Sequence, residues 1–435
     1  MAFWDGLSPV VQDSSLLLAL LAPIVLLGGA LLRGYAPWAV LRALLWRSRV
    51  AALVFVALIA VSVGLGVALL AQERALRQGA ARAADGFDLI VTAPGSEVTM
   101  LLATVYLQPS DVPLLDGAIY AEIARDPRVT LAAPIAFGDS YNGAPVVGTI
   151  AGFVDHLSGP LIEGRMFADH REAVVGARAD VAMGAELEPA HGTGIDADAH
   201  AHSEEHYKVV GRMAATGSPW DRAILVPIEG VWEVHGLAAG HAEGAQDALG
   251  PPFEPTLFPG TPAILVVADR LVDNYALRAA FTRSDTMAFF PGAVIAMLNG
   301  LMGDVRQLMS VMALVTQTLV MAGVIAGLVI LMRLFAGSLA LLRAIGAPAR
   351  FVFAVVWAYA AGLSVIGAAL GLLLGRGAAD ILSRVISART EVLVQANLGW
   401  PEVHLVAGFV TICVFVGLVP AALALRRIVV ADLRA

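Results

Sequence analysis

Long uninterrupted apolar runs constrain this chain more than any other feature. A helix needs about 20 mostly apolar residues to cross the hydrocarbon core of a bilayer. Five stretches meet or approach that length: 14–32, 50–71, 308–332, 351–374 and 405–425. The last four hold no Asp, Glu, Lys or Arg. Pumps, ion-coupled carriers and voltage sensors place ionisable groups at that depth, so a secondary transporter with a midplane ion site is disfavoured. Composition agrees: 58% of residues are hydrophobic and 15% charged, against roughly 45–50% and 25% in soluble domains. Stretch 14–32 is read as an extra N-terminal span, with an interfacial hairpin or an over-extended start as the alternative. Only Asp5 and Asp13 are charged before or at its start, so it lacks the basic leader of a signal peptide.

Arginine placement sets the orientation, because cytoplasmic connections are enriched in Lys and Arg. Arg33, Arg42, Arg47 and Arg49 lie between the first two stretches with no acid among them, and Arg333, Arg343 and Arg350 follow the third. Arg426, Arg427 and Arg434 stand against Asp432 in the tail. These three places are expected in the cytoplasm, and 375–404 is expected as an outside loop. Tyr35, Trp38, Trp46 and Trp400 suit the interfacial belts.

The tract 72–304 differs. It carries 30 of the 36 acids, 14 of the 28 basic residues and eight of the nine histidines. Its size suits one or two compact units, and on this topology it lies outside the cytoplasm. Apolar runs bounded by turn residues predict strands at 87–91, 129–135, 145–150, 173–175, 207–210, 223–226 and 263–267. Helices are expected at 111–125, 228–235 and 269–280. The stretch 292–332 lacks a break and reads as one long helix entering the membrane. The expected fold is therefore a transmembrane helix bundle with one large mixed α/β extracytoplasmic domain. Its parts are 1–49 (extra span and cytoplasmic connection), 50–71 (a membrane helix), 72–304 (the α/β domain) and 305–435 (three membrane helices).

Small residues four apart let helix backbones approach closely. Gly323 and Gly327 form one such pair; Gly367, Gly371 and Gly375 form a double one. For the first pair, contact within the chain and a homodimer seam stand evenly. Internal packing is favoured for the second set.

The phosphate-cradling pattern GxxxxGK[ST] is absent, since the sole lysine is Lys208 in Tyr207-Lys208-Val209. Any ATP hydrolysis is then the work of another chain, and no nucleophile–His–acid set is identifiable. There is no basic tract for nucleic acid, and with Cys413 the only cysteine neither an intrachain disulfide nor a cysteine zinc cluster can form. The sharpest local feature is 191–206, with His191, Asp196, Asp198, His200, His202, Glu204, Glu205 and His206. Imidazole and carboxylate are ligands for zinc and its neighbours. His200, His202 and His206 are the candidate ligands for a divalent transition metal such as zinc, and a solvated surface insertion is the competing reading.

The layout of one span, a large outer domain and three closely spaced spans resembles the MacB/FtsX/LolC-type ABC permeases. Leu341-Leu342-Arg343-Ala344-Ile345-Gly346-Ala347 resembles the family's "LLRALGA" stretch. The resemblance implies that 333–350, and these residues above all, form a coupling helix seated on an ATPase. The usual "RRREI" lead-in is replaced by Arg333-Leu334-Phe335-Ala336-Gly337. Phe87 to Ser96 (FDLIVTAPGS) is similar to the "DLIVGAPGS" start of the outer domain in a less-studied branch, and Pro134 to Tyr141, Val209-Val210-Gly211 and Thr216 to Arg222 are similar to later shared stretches. The resemblance runs from about Val50 onward, with 14–32 extra to the four-span plan.

It implies a non-enzymatic permease subunit in a bacterial inner membrane, dimeric, served by separate ATPase subunits and moving its outer domain to export or extract a substrate. A periplasmic or outer-membrane partner fits the same plan, and the histidine loop leaves a link to transition-metal homeostasis open. The alternatives are an FtsX-like signalling scaffold and a metal-binding receptor.

Overall fold

The computed structural model describes residues 6–108, 110–191, 206–301, 303–390 and 395–425. In chain order it has α1 (Pro9–Leu32), α2 (Trp38–Arg47), α3 (Arg49–Ala83), β1 (Leu89–Thr92), α4 (Glu97–Val105), α5 (Gly117–Arg125), β2 (Val129–Tyr141), β3 (Ala144–Thr149) and α6 (Ala151–Ser158). Then come β4 (Glu163–Gly164), β5 (Glu172–Val175), β6 (Glu186–Leu187), β7 (Ala190–His191), β8 (Tyr207–Arg212), β9 (Ile224–Pro227), α7 (Ile228–Val234), β10 (Ala263–Ala268), α8 (Leu271–Ala280) and β11 (Met287–Phe289). The chain ends with α9 (Pro291–Leu301), α10 (Gly303–Ala344), α11 (Ala349–Thr390), α12 (Trp400–Val416) and α13 (Leu418–Leu425). It divides into two units: Met1–Leu76 with Gly303–Val385 and Gln395–Ala435, and Arg77–Met302 with Ile386–Val394.

The first unit is helical. Among the described residues four stretches are long and apolar enough to cross a membrane: Pro9–Leu32, Arg49–Ala83, Ala349–Ser387 and Trp400–Ala422. Beside them α10 runs unbroken for 42 residues, about 60 Å at 1.5 Å per residue. The helices extend beyond the apolar runs: α11 continues to Thr390, where an outside loop was expected from 375. Gly375 does not end it, because it serves close packing.

Helices α3 and α11 lie parallel. Ser48 Oγ, just before α3, meets Tyr359 Oη at 3.0 Å, and Ser383 Oγ donates to Gln72 Oε1 at 3.2 Å. Between these levels the backbones nearly touch. A Cβ on Gly367 would stand 2.8 Å from Ile59 Cβ, one on Gly371 2.7 Å from Val63 Cβ, and one on Gly375 2.7 Å from the Gly64 carbonyl. Helices α1 and α12 are also parallel, joined by His404 Nε2 to Asp13 O at 2.9 Å and by Thr411 Oγ1 donating to Leu20 O. Parallel α3 and α11 place 33–49 and 343–350 at one end of this unit.

At the other end the helices are tied by charge. Glu402, fully buried on the first turn of α12, accepts from Arg74 Nη1 at 3.0 Å and from the Gly399 N–H at 2.8 Å. Arg74 also donates to Asn397 O. Ionisable groups therefore do enter these helices, just past the ends of the apolar runs, as a closed pair.

The second unit is built on a mixed sheet ordered β11-β1-β10-β2-β3-β9-β5-β8-β4, with β6 on β8 and β7 on β2. The pairs β3–β9 and β5–β8 are parallel and the others antiparallel. Strands β1 and β9 are buried along their whole length, which is why they read as continuous apolar runs. The predicted helix at 111–125 begins only at Gly117: Asp116 Oδ1 caps the Ile119 N–H at 2.9 Å, and Leu115 is instead bridged to Thr261. Helices α4 and α6 and strand β11 were not expected. Helix α9 ends at Leu301 and α10 begins at Gly303; position 302, on which the expected single helix over 292–332 depends, lies outside the described residues.

Candidate functional site: an exposed helical hairpin

The turn between α10 and α11 is set by Gly346, whose φ is +102°. There the Gly346 N–H donates to Arg343 O at 3.1 Å and the Ala347 N–H to Leu342 O at 3.0 Å, the paired bonds of a glycine-terminated helix end. Pro348 follows, its carbonyl accepting from the Phe351 N–H at 2.9 Å. A Cβ at Gly346 would meet nothing within 4 Å, so the demand for glycine here is purely one of backbone conformation.

The hairpin has a fixed root and an open tip. At the root Leu339 and Val352 are buried, and the Phe335 and Tyr359 rings pack edge-on at 5.3 Å between centroids. At the tip Leu341 is 57% and Ile345 75% exposed. Four residues apart, they share one helix face. Ala344 and Arg350 are exposed as well; Leu342, Arg343 and Ala347 are half-buried. The tip thus offers an aliphatic ridge flanked by arginine.

Helix α2 stands at the same end. Leu41 and Leu44 are buried in the cluster that holds Phe335, Leu339, Val352 and Tyr359, while Trp38, Arg42, Trp46 and Arg47 face outward. Sequence reasoning treated 33–49 as a plain connection. The apolar spacing Leu41/Leu44 within an arginine-bearing stretch was the available signal.

Of the small-residue pairs, Gly367, Gly371 and Gly375 lie against α3 and meet Gly64, which the sequence reading did not pick out. A Cβ on Gly327 would stand 3.1 Å from the Phe55 ring, whereas one on Gly323 would meet nothing within 4 Å.

His200 and His202 lie outside the described residues. His206 is half-buried before β8, its Nδ1 3.5 Å from Glu188 Oε1. Among the described residues no group of three or more His, Cys, Asp or Glu could hold a metal ion.

Two buried carboxylates of the α/β unit have structural surroundings. Asp221 accepts from the Thr216 N–H and Oγ1–H, both at 2.7 Å, and from the Gly217 N–H at 2.9 Å, fastening the Thr216–Arg222 stretch. Glu229 on α7 accepts from the Gly250 N–H and sits 3.4 Å from His241 Nε2. Burial raises its pKa above the ordinary carboxylate value, opposed by those two partners.

No family model matches this sequence, and no curated protein does. Solved structures do share part of its shape. The periplasmic region of MacB from Actinobacillus actinomycetemcomitans is 10% identical, with 49% of this chain and 94% of that one covered and a TM-score of 0.31. The extracellular domain of the ABC-type transporter YknZ from Gram-positive bacteria is 9% identical, with 46% and 98% covered and a TM-score of 0.28. At TM-scores this low the likeness carries no argument about this chain's activity.

Proposed function

We propose that this chain is the membrane permease subunit of an ABC-type transporter, seated in a bacterial inner membrane with its α/β unit on the far side. A separate ATPase docks on the Leu341–Ala347 hairpin, and nucleotide-driven motion is passed along α10 and α11. The observation that carries this is the hairpin itself: an exposed Leu341/Ile345 ridge on a rigid root, at the junction of two 42-residue helices. A loose loop would dissipate a push, whereas helices of this length transmit it. The closed Arg74–Glu402 pair and the tight α3–α11 contact suit a mechanical element better than a polar pore.

The direct test has two parts. Cysteines placed at 345 and 206 should label from opposite sides of sealed vesicles, with 345 reached from the cytoplasm. The tagged chain extracted with its complex should carry ATPase activity that the chain alone lacks. Cytoplasmic labelling at 206, or hydrolysis by the isolated chain, overturns the proposal.

A further inference from the structure

We infer that the outward face of α2 is a docking surface for the anionic phospholipid headgroups of the bilayer. The face presents two tryptophans among arginines: Trp38 is 70% and Trp46 75% exposed, and Arg42, Arg47 and Arg49 are exposed beside them. Trp38, Arg42 and Leu45 fall on one helical stripe of α2, and Arg49 follows its end at the start of α3. Arg49 lies over the Trp46 ring, 5.7 Å from its centroid. This cation–π contact positions the guanidinium and leaves its N–H groups for a phosphate. Among the described residues none of these three arginines makes an ion pair, and there is no Asp or Glu between Asp13 and Glu73.

Position decides in favour of lipid over a soluble partner. Helix α2 is tied at both ends to helices long and apolar enough to span, α1 ending at Leu32 and α3 beginning at Arg49. Its Leu41/Leu44 face is packed into the bundle. A short helix so tethered stays at the membrane boundary with its other face turned away from the protein. Tryptophan there sits at headgroup level. Arginine beside it attracts anionic over zwitterionic lipid, and the attraction falls with salt. The inference is independent of the permease reading, since it concerns lipid alone.

The experiment uses the full-length chain in phosphatidylcholine bilayers with spin-labelled phosphatidylglycerol or phosphatidylcholine as probe. The protein-associated fraction of each is read from electron spin resonance. The wild type should select phosphatidylglycerol several-fold, and the selectivity should shrink with added salt. R42Q/R49Q should bring it close to equal association of the two lipids, while R42K/R49K keeps most of it. Equal association of the two lipids with the wild type overturns the inference. So does unchanged selectivity in R42Q/R49Q, including the case where that variant instead loses an associated protein. If the glutamine variant fails to fold, salt-insensitive selectivity in the wild type is the overturning result.

Discussion

Replacing Glu229 probes how the α/β unit holds its longest connection, residues 235–262 between α7 and β10. Glu229 is fully buried. Its Oε1 receives the Gly250 N–H and faces His241 Nε2, and both partners belong to that connection. Its Oε2 is buried with no hydrogen-bond partner. Phe253 and Phe258 of the same connection pack on Trp232 at 5.5 and 4.9 Å between centroids. Glu229→Ala orphans a half-buried amide, which costs about 1–3 kcal/mol, and removes one methylene from the core at roughly 0.8 kcal/mol along with the carboxyl group. The total is about 2–4 kcal/mol, enough to open the connection locally.

The pH dependence has a definite sign. Burial raises the Glu229 pKa in the folded state, so its contribution is complete below the unfolded carboxylate value of about 4.3. That contribution is lost as pH rises through the folded value. The charged or titratable groups facing it are His241 and Tyr120, and burial raises the Tyr120 phenol above its usual value. Glu229→Gln keeps shape and an acceptor but cannot ionise. Hydrogen exchange of 235–262 in the full-length protein, corrected for intrinsic rates from acid to neutral pH, should show protection falling with pH in the wild type and a flatter profile in E229Q. The same slope in both, or wild-type protection rising with pH, refutes the reasoning.

Three further outcomes follow from the helical unit. Gly371→Leu must push α3 away, because even its Cβ would lie 2.9 Å from the Ala60 carbonyl; overpacking of about 1–3 kcal/mol or more should appear as a lower melting temperature in detergent. Gly377→Ala, in open space on the same helix, should be neutral or stabilising by up to about 1 kcal/mol. Arg74→Ala leaves Glu402 buried and unpaired, at a cost of about 3–5 kcal/mol, and R74A/E402A should recover part of the loss in the same melting assay.

Strands β1, β3, β5, β9 and β10 were legible because burial on both faces leaves an apolar run between turn residues. The α4 segment, Glu97–Val105, was not, because a nine-residue apolar stretch has no period long enough to separate helix from strand. At 111–116 the helical pattern ran past a start that Asp116 enforces by capping. Gly375 followed by Arg376 read as a span's end, yet the glycine admits Gly64 and Val67 and the helix goes on. The hairpin was legible as a motif, but its exposed ridge was not, since exposure depends on what packs at the root. The Arg74–Glu402 pair spans 328 positions of sequence, and neither residue alone announces the other.

Site-specific photocrosslinking from position 345 in native membranes tests the central claim most directly. With Ile345 replaced by a photoreactive residue, the account predicts one prominent adduct with a nucleotide-hydrolysing subunit, lost when Leu341→Glu is added. A crosslinker at Ile162, exposed in the α/β unit, should give no such adduct. An adduct with that subunit from 162 but not from 345 would contradict the account.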